Sequence, residues 1–194
     1  MKRLYILLAV LFACSGSAFA QGAYAQDKLS AAISAATGYS SDAILFGVTS
    51  PTIQSDGSAS VWAYSFYCQS KNTVYGVIYA YGIPIDSIQP ASNTRTYSPI
   101  GTNWKNSTII SVAESNGGSA FRNAHSNPTV YMTLAKGADV QYSSDTVWVV
   151  TYQSGSSVLV VFIDAITGQY LPGISNSVNE PFTMPASSQL GQNY

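Results

Sequence analysis

The chain is short of the residues that do chemistry. It holds one histidine, His125, two cysteines, Cys14 and Cys68, and only 9% charged residues among 194. Any Ser-His or Cys-His mechanism would have to run through His125, which closes a predicted helix where the helix dipole favours it. Cys68 ends an apolar strand and reads as a buried, inert thiol. One cysteine and one histidine cannot close a zinc site without carboxylates. The nine acidic residues form neither the Asp-x-Asp cluster of a calcium loop nor a pair spaced for glycoside hydrolysis. No enzymatic activity, metal site or cofactor is therefore expected. Eight basic residues without a cluster leave no footprint for nucleic acid. No apolar run approaches the roughly 20 residues of a membrane-spanning helix.

What is present begins with an export pattern. Lys2 and Arg3 precede the apolar run 4–13, and Ala18-Phe19-Ala20 closes it, the three-part layout of a secretory signal peptide with Gln21 as the first mature residue. Leu11-Phe12-Ala13-Cys14 leaves a second reading open, a lipoprotein signal that would make Cys14 the lipid-bearing first residue and anchor the protein to a membrane. Either way the expected location is extracytoplasmic, periplasmic or secreted. Without Lys2 and Arg3, six basic residues face nine acidic ones. Cleavage after Ala20 leaves Cys68 alone, so the core and not a disulfide must stabilise the fold.

The chain also repeats itself. Ile44-x-Phe46-x-Val48 leading to Val61-Trp62 recurs as Val130-x-Met132-x-Leu134 leading to Val147-Trp148, an offset of 86 residues (148 − 62). Ahead of the first copy, Leu29, Ala32, Ile33 and Ala36 mark a helix over 27–37, with Asp27 to cap it and Gly38 to close it. Strands follow at 43–49, 60–68 and 73–81, with turns at Asp56-Gly57 and Lys71-Asn72. A proline-containing connector, 86–105, carries Trp104, which anchors the start of the second half. A longer helix over 107–125 has Ile109, Val112, Ala113, Ala120, Phe121 and Ala124 on one stripe. Its Gly117-Gly118 should cost about 1 kcal/mol per glycine relative to alanine, which points to close approach to the sheet. Strands at 129–136, 146–153 and 157–165 complete the copy, with Gly155-Ser156 as a tight turn. The plan is α+β: a signal peptide 1–20, one helix-plus-antiparallel-meander unit at 21–85, the connector, a second unit at 106–172, and a loosely held tail, 173–194. Each helix is expected to pack on a sheet.

Trp148-Val149-Val150 through Asp164-Ala165-Ile166-Thr167-Gly168-Gln169-Tyr170-Leu171 resembles the closing hairpin of PepSY-like domains, with a Trp-led strand and a strand ending in Asp-Ala-x-Thr-Gly. The close match covers about 24 residues, and about 65 with the preceding helix and strand. The first half keeps the scaffold but has Tyr79-Ala80-Tyr81-Gly82-Ile83 where the signature would fall. The resemblance implies a cystatin-like α+β fold and a role in restraining exported peptidases or binding proteins. The residues themselves allow a plainer reading: Asp164 and Thr167 accept bonds within a turn whose positive φ Gly168 supplies.

Trp62, Tyr64 and Phe66 alternate on one strand, as do Trp148, Val150 and Tyr152. Trp62 and Trp148 are expected as core anchors. Tyr75, Tyr79 and Tyr81 alternate on the next strand and are candidate binding residues, with the expectation that either they or the Trp62 set lie inside. The expected function is an exported, non-enzymatic module that binds another exported protein, a peptidase being the partner the resemblance implies. A structural or adhesive envelope component, suggested by low charge and many Tyr, Ser and Asn, and a glycan- or peptide-binding protein are the alternatives.

Overall fold

A computed structural model describes residues 22–172 apart from 95, 141, 143 and 144. The signal peptide, the lipidation alternative at Cys14 and the tail 173–194 lie outside the described residues.

Helix α1 (Ala25–Tyr39) turns Ala25, Leu29, Ala32 and Ala36 into the protein. Three of these are alanines, so the helix can lie close to a sheet whose inner side is crowded with rings. It starts two residues before Asp27. The Asp27 carboxylate accepts the Tyr24 N–H at 2.8 Å from inside the first turn and does not precede the helix. Gly38 does not end it either. The chain stays helical through Tyr39, and Ser40, in extended conformation, donates its N–H to the Ala36 carbonyl at 2.9 Å.

Strands β1 (Ala43–Ser50), β2 (Val61–Cys68), β3 (Thr73–Ala80) and β4 (Ile83–Pro90) follow. After the helical segment come β5 (Thr129–Lys136), β6 (Thr146–Ser154) and β7 (Ser157–Asp164). All seven join one sheet in the order β4-β3-β2-β1-β5-β6-β7, every neighbouring pair antiparallel. The α+β class holds, and the strands of the two halves form a single continuous sheet. β4 takes in Asp86–Pro90, residues expected to begin the connector. β3 and β4 are joined by Tyr81-Gly82, both at positive φ (51° and 83°), the backbone of a two-residue hairpin turn of right-handed sheets. Tyr81 is thus a turn residue and not the end of the strand.

The helix expected over 107–125 is interrupted. α2 (Ile109–Ala113) passes through a π-turn at Glu114–Gly118 into α3 (Ser119–Ala124), with Asn116 and Gly117 outside helical φ/ψ. The extra residue rotates everything after it by about one helical position. Ile109, Ile110, Ala113 and Gly118 are therefore buried, while Ala120 and Ala124, expected on the same stripe, face solvent. Both glycines serve close approach. A Cβ on Gly118 would fall 2.4 Å from the Tyr152 hydroxyl on β6, and one on Gly117 would fall 3.3 Å from Leu159 on β7.

Helices α1 and α2 cover one face of the sheet. Their buried residues share one cluster with Trp62, Tyr64, Phe66, Tyr75 and Val77 from the first half and Trp148, Val150 and Tyr152 from the second. A smaller cluster, Ala135, Val140, Val147, Val149 and Phe162 with Leu171 against it, lies on the opposite face. Residues 91–104 run along the end of the sheet where β1 begins: Ile100 N–H donates to the Leu45 carbonyl at 3.1 Å, and Ile100 carbonyl accepts from the Thr146 hydroxyl at 3.3 Å.

Candidate functional site

The two tryptophans expected as anchors are 1% and 0% exposed and meet edge to face, centroids 6.2 Å apart. Each indole N–H donates to a carbonyl of the segment leading toward a helix, Trp62 to Ala23 at 2.7 Å and Trp148 to Lys105 at 2.6 Å. Trp104 completes the group against Trp148 at 5.6 Å. Asn106, buried, accepts the Ala25 N–H at 2.6 Å and so supplies the first turn of α1 with an acceptor from the other half of the chain. Sequence spacing gives no sign of that contact, which joins residues 81 positions apart.

Tyr75, Tyr79 and Tyr81 are not one exposed face. Phe66 sits opposite Tyr75, and Trp62 opposite Tyr79; residues directly paired in antiparallel strands share a face. Both aromatic sets consequently lie on the helix side together, and the choice between them dissolves. Tyr75 is buried and stacks on Tyr39 of α1 at 4.8 Å. Burial, followed by the neighbouring Asp86, pushes its hydroxyl up to about 12. Tyr79 is partly buried and raised by the same two causes. Only Tyr81 stands out in solvent, at the turn. Lys28, Trp62, Tyr79, Tyr81 and Gly82 line a shallow cleft of about 110 Å³, well under the ~300–1,000 Å³ of most small-molecule sites.

Asp164, Thr167 and Gly168 build a turn. Asp164 Oδ1 accepts from Ile166 N–H (3.0 Å), Thr167 N–H (2.7 Å) and the Thr167 hydroxyl (3.0 Å). Gly168, at φ 78°, returns its N–H to the Asp164 carbonyl at 2.8 Å. Lys105 Nζ donates to the Thr167 carbonyl at 2.7 Å, tying the turn to the segment before α2.

The scarce reactive groups are kept apart. Cys68 is wholly buried where β2 ends, and burial, with Asp42 nearby, pushes its thiol up. His125 follows α3 and packs on Phe121 at 4.3 Å. β2 ends at the edge of the sheet where β5 also ends, whereas His125 precedes the start of β5. A strand of eight residues, about 26 Å, separates the two levels, so they cannot act as nucleophile and base. Among the described residues no three His, Cys, Asp or Glu side chains gather as a metal site. Glu114 is engaged at the π-turn by Arg122 Nε (2.7 Å), the Tyr152 hydroxyl (2.9 Å) and Ser119 (3.1 Å). Burial, then Glu114, holds the Tyr152 hydroxyl protonated far above its ordinary range.

What remains open is an edge. β4 exposes Ile83 (63%), Ile85 (45%) and Ile88 (55%), beside Tyr81 (61%). It carries no Lys or Arg, the residues with which sheet proteins usually blunt an edge. Its prolines, Pro84 and Pro90, lie six apart, so both orient alike with Asp86 and Ile88. The two-residue turn makes Ala80 and Ile83 a hydrogen-bonded pair, and the prolines then fall at positions whose amides point away from β3. The outward donors are therefore the N–H groups of Asp86 and Ile88.

Among the described residues no helix is long and apolar enough to cross a membrane. No known family's sequence pattern matches the chain, and no curated protein matches it. The fold is similar to a crystal structure from Clostridium difficile 630 described as a "putative lipoprotein", at 12% identity, TM-score 0.49, covering 79% of this chain and 95% of that one.

Proposed function

We propose that this chain is an exported, non-enzymatic protein that binds another exported protein along the free edge of its sheet, with β4 as the docking strand. The observation that carries the reading is β4 itself: eight residues, three exposed isoleucines and no basic residue. An added strand would take main-chain bonds from Asp86 and Ile88 and seat alternate side chains against Ile83 and Ile85 on one side and Ile88 on the other. The burial of Cys68 and its wide separation from His125 favour binding over catalysis.

We also read the chain as two PepSY-like units fused in one sheet, which makes an exported peptidase the first partner to seek. In support, Val48 pairs with Leu134 at the centre of the sheet, and these two are equivalent under the 86-residue repeat. An antiparallel pair of equivalent residues is what a local two-fold relation between units requires.

The test is comparative capture from the host's envelope and culture fluid with the tagged full chain and with an Ile83→Glu, Ile85→Glu variant. A protein retained by the parent and lost by an equally folded variant supports the edge. Equal recovery by both removes β4 from the account, and a peptidase among the lost proteins makes restraint of that enzyme the mechanism to assay.

A further inference from the structure

The outer edge of β4 is symmetric in its backbone. Pro84 and Pro90 each lie three residues from Ser87, and both, like Asp86 and Ile88 between them, turn their outward groups away from β3. The edge therefore offers an N–H and a carbonyl at Asp86 and again at Ile88, flanked on each side by a proline carbonyl with no donor. Antiparallel pairing exchanges N–H and C=O between residues that both face the partner, so a second β4 can meet the first in few registers. Centred on Asp86, it sets two like charges directly opposite, which destabilises a pair, and leaves the Ile88 carbonyl facing a proline. Centred on Ile88, it leaves the Asp86 carbonyl facing a proline. Centred on Ser87, it sets Asp86 of each copy against Ile88 of the other. Each such pair exchanges both bonds, every outward N–H is used, and proline meets only proline.

Ser87 supplies a second observation that selects the same register. Its side-chain oxygen is buried and has no hydrogen-bond partner, and Gly76, directly opposite on β3, has no side chain to offer one. In the Ser87-centred register this residue lies on the two-fold axis, facing its own counterpart as a non-hydrogen-bonded pair with Cα atoms about 4.5 Å apart. Side chains stand closest in such pairs, and hydroxyls directly opposite can bond to each other. The missing partner is then the same hydroxyl of a second copy. Pairing of this kind closes at two chains, because it uses the single β4 edge of each.

We propose that β4 pairs with β4 of a second copy about a two-fold axis through Ser87, joining two seven-stranded sheets into one. The inference rests on the reading of β4 as an open docking strand and adds its regulation: self-pairing covers the edge, so another protein docks only on the separated chain.

Sedimentation equilibrium of the full chain over a range of concentrations, joined to cysteine cross-linking, tests it. The expected result is a reversible equilibrium between monomer and dimer. Ser87→Cys should be linked into a covalent dimer by oxidised glutathione, since Cα atoms about 4.5 Å apart lie within the ~4.4–6.8 Å range of disulfides. Gln89→Cys, two residues off the axis, should stay unlinked. Ile88→Pro removes one outward donor per copy, leaves the β3 ladder intact and should weaken dimerisation at least about tenfold; if that variant fails to fold, the cross-linking decides alone. A chain that is monomeric at every concentration would overturn the proposal. So would a dimer that Ile88→Pro leaves equally tight, or one in which Gln89→Cys links as readily as Ser87→Cys. The capture experiment reads the docking strand separately. A monomeric chain that still loses a protein on Ile83→Glu, Ile85→Glu keeps the docking strand and removes self-pairing, whereas a dimer centred on Ser87 with equal capture by parent and variant does the reverse.

Discussion

Gly118→Ala separates two physical expectations by sign. Gly118 has ordinary helical angles (φ −57°, ψ −48°), so helix propensity alone predicts that alanine stabilises the protein by about 1 kcal/mol. The structure predicts the reverse. The new Cβ would meet the Tyr152 Oη at 2.4 Å, its Cζ at 2.6 Å and the Ala113 carbonyl oxygen at 3.0 Å. Tyr152 is fully buried on a strand, so its ring can retreat only by disturbing neighbours, a strain of about 1–3 kcal/mol. Displacing the hydroxyl also breaks its 2.9 Å bond to Glu114, and bonds to charged groups contribute about 1.5–3 kcal/mol. Less the propensity gain, the net loss is roughly 2–5 kcal/mol, or a fall in Tm of roughly 5–15 °C for a chain of this size. Thermal unfolding followed by circular dichroism reads it. Gly38→Ala is the matched control: also within a helix, with nothing within 4 Å of its Cβ, it should raise Tm by roughly 2–4 °C. Adding Tyr152→Phe to Gly118→Ala should recover only part of the loss, because the ring carbon stays in the way. A Gly118→Ala protein as stable as its parent would refute the packing at the π-turn.

Asn106→Ala should cost about 1–3 kcal/mol, since it strands the buried Ala25 N–H that Asn106 now accepts; Asn106→Asp, which keeps an acceptor at a helix start, should lose less, and urea unfolding of both variants measures the difference. Raising the pH should unfold the protein cooperatively: burial lifts the hydroxyls of Tyr64, Tyr75 and Tyr152, so their stabilising protonated state is fully present below the unfolded value near 10 and is lost as pH rises through the folded values, at about 1.4 kcal/mol per pH unit for each group. Phenolate absorbance should then show a late step coincident with loss of secondary structure, and a smooth titration of all tyrosines with the fold intact would contradict the burial.

The strands with alternating or β-branched residues were legible because their pattern and their energetics coincide: burial of Trp62, Tyr64 and Phe66 under α1 is what their spacing says. β4 was not, because Pro84 and Pro90 argue against a strand, and prolines are tolerated here only by the outward-facing amides of an edge. A Tyr-Gly turn hid it further, since the residues that usually announce a two-residue hairpin are Asn-Gly or Asp-Gly. The tyrosine face failed for a different reason. Alternation tells which residues share a side, yet only the pairing of β2 with β3 tells that Tyr75 and Phe66 share theirs. The broken second helix was half legible. The paired glycines signalled close approach, but the phase change that exposes Ala120 and Ala124 depends on Asn116 and Gly117 leaving helical geometry, which no periodicity records. The edge now offered as the docking strand was thus the part of the sheet that the sequence concealed most.

The indole cluster bears on how this protein can be observed. All three tryptophans of the chain are in ring contact, Trp62 with Trp148 and Trp148 with Trp104, so its fluorescence comes from one spot between the halves and not from three. Loosening of either half would change the emission of the whole set. A single fluorescence transition is therefore no proof that both halves unfold together, and a second probe remote from the cluster, such as Tyr75 on Tyr39, is needed before the unfolding curve is assigned to one step.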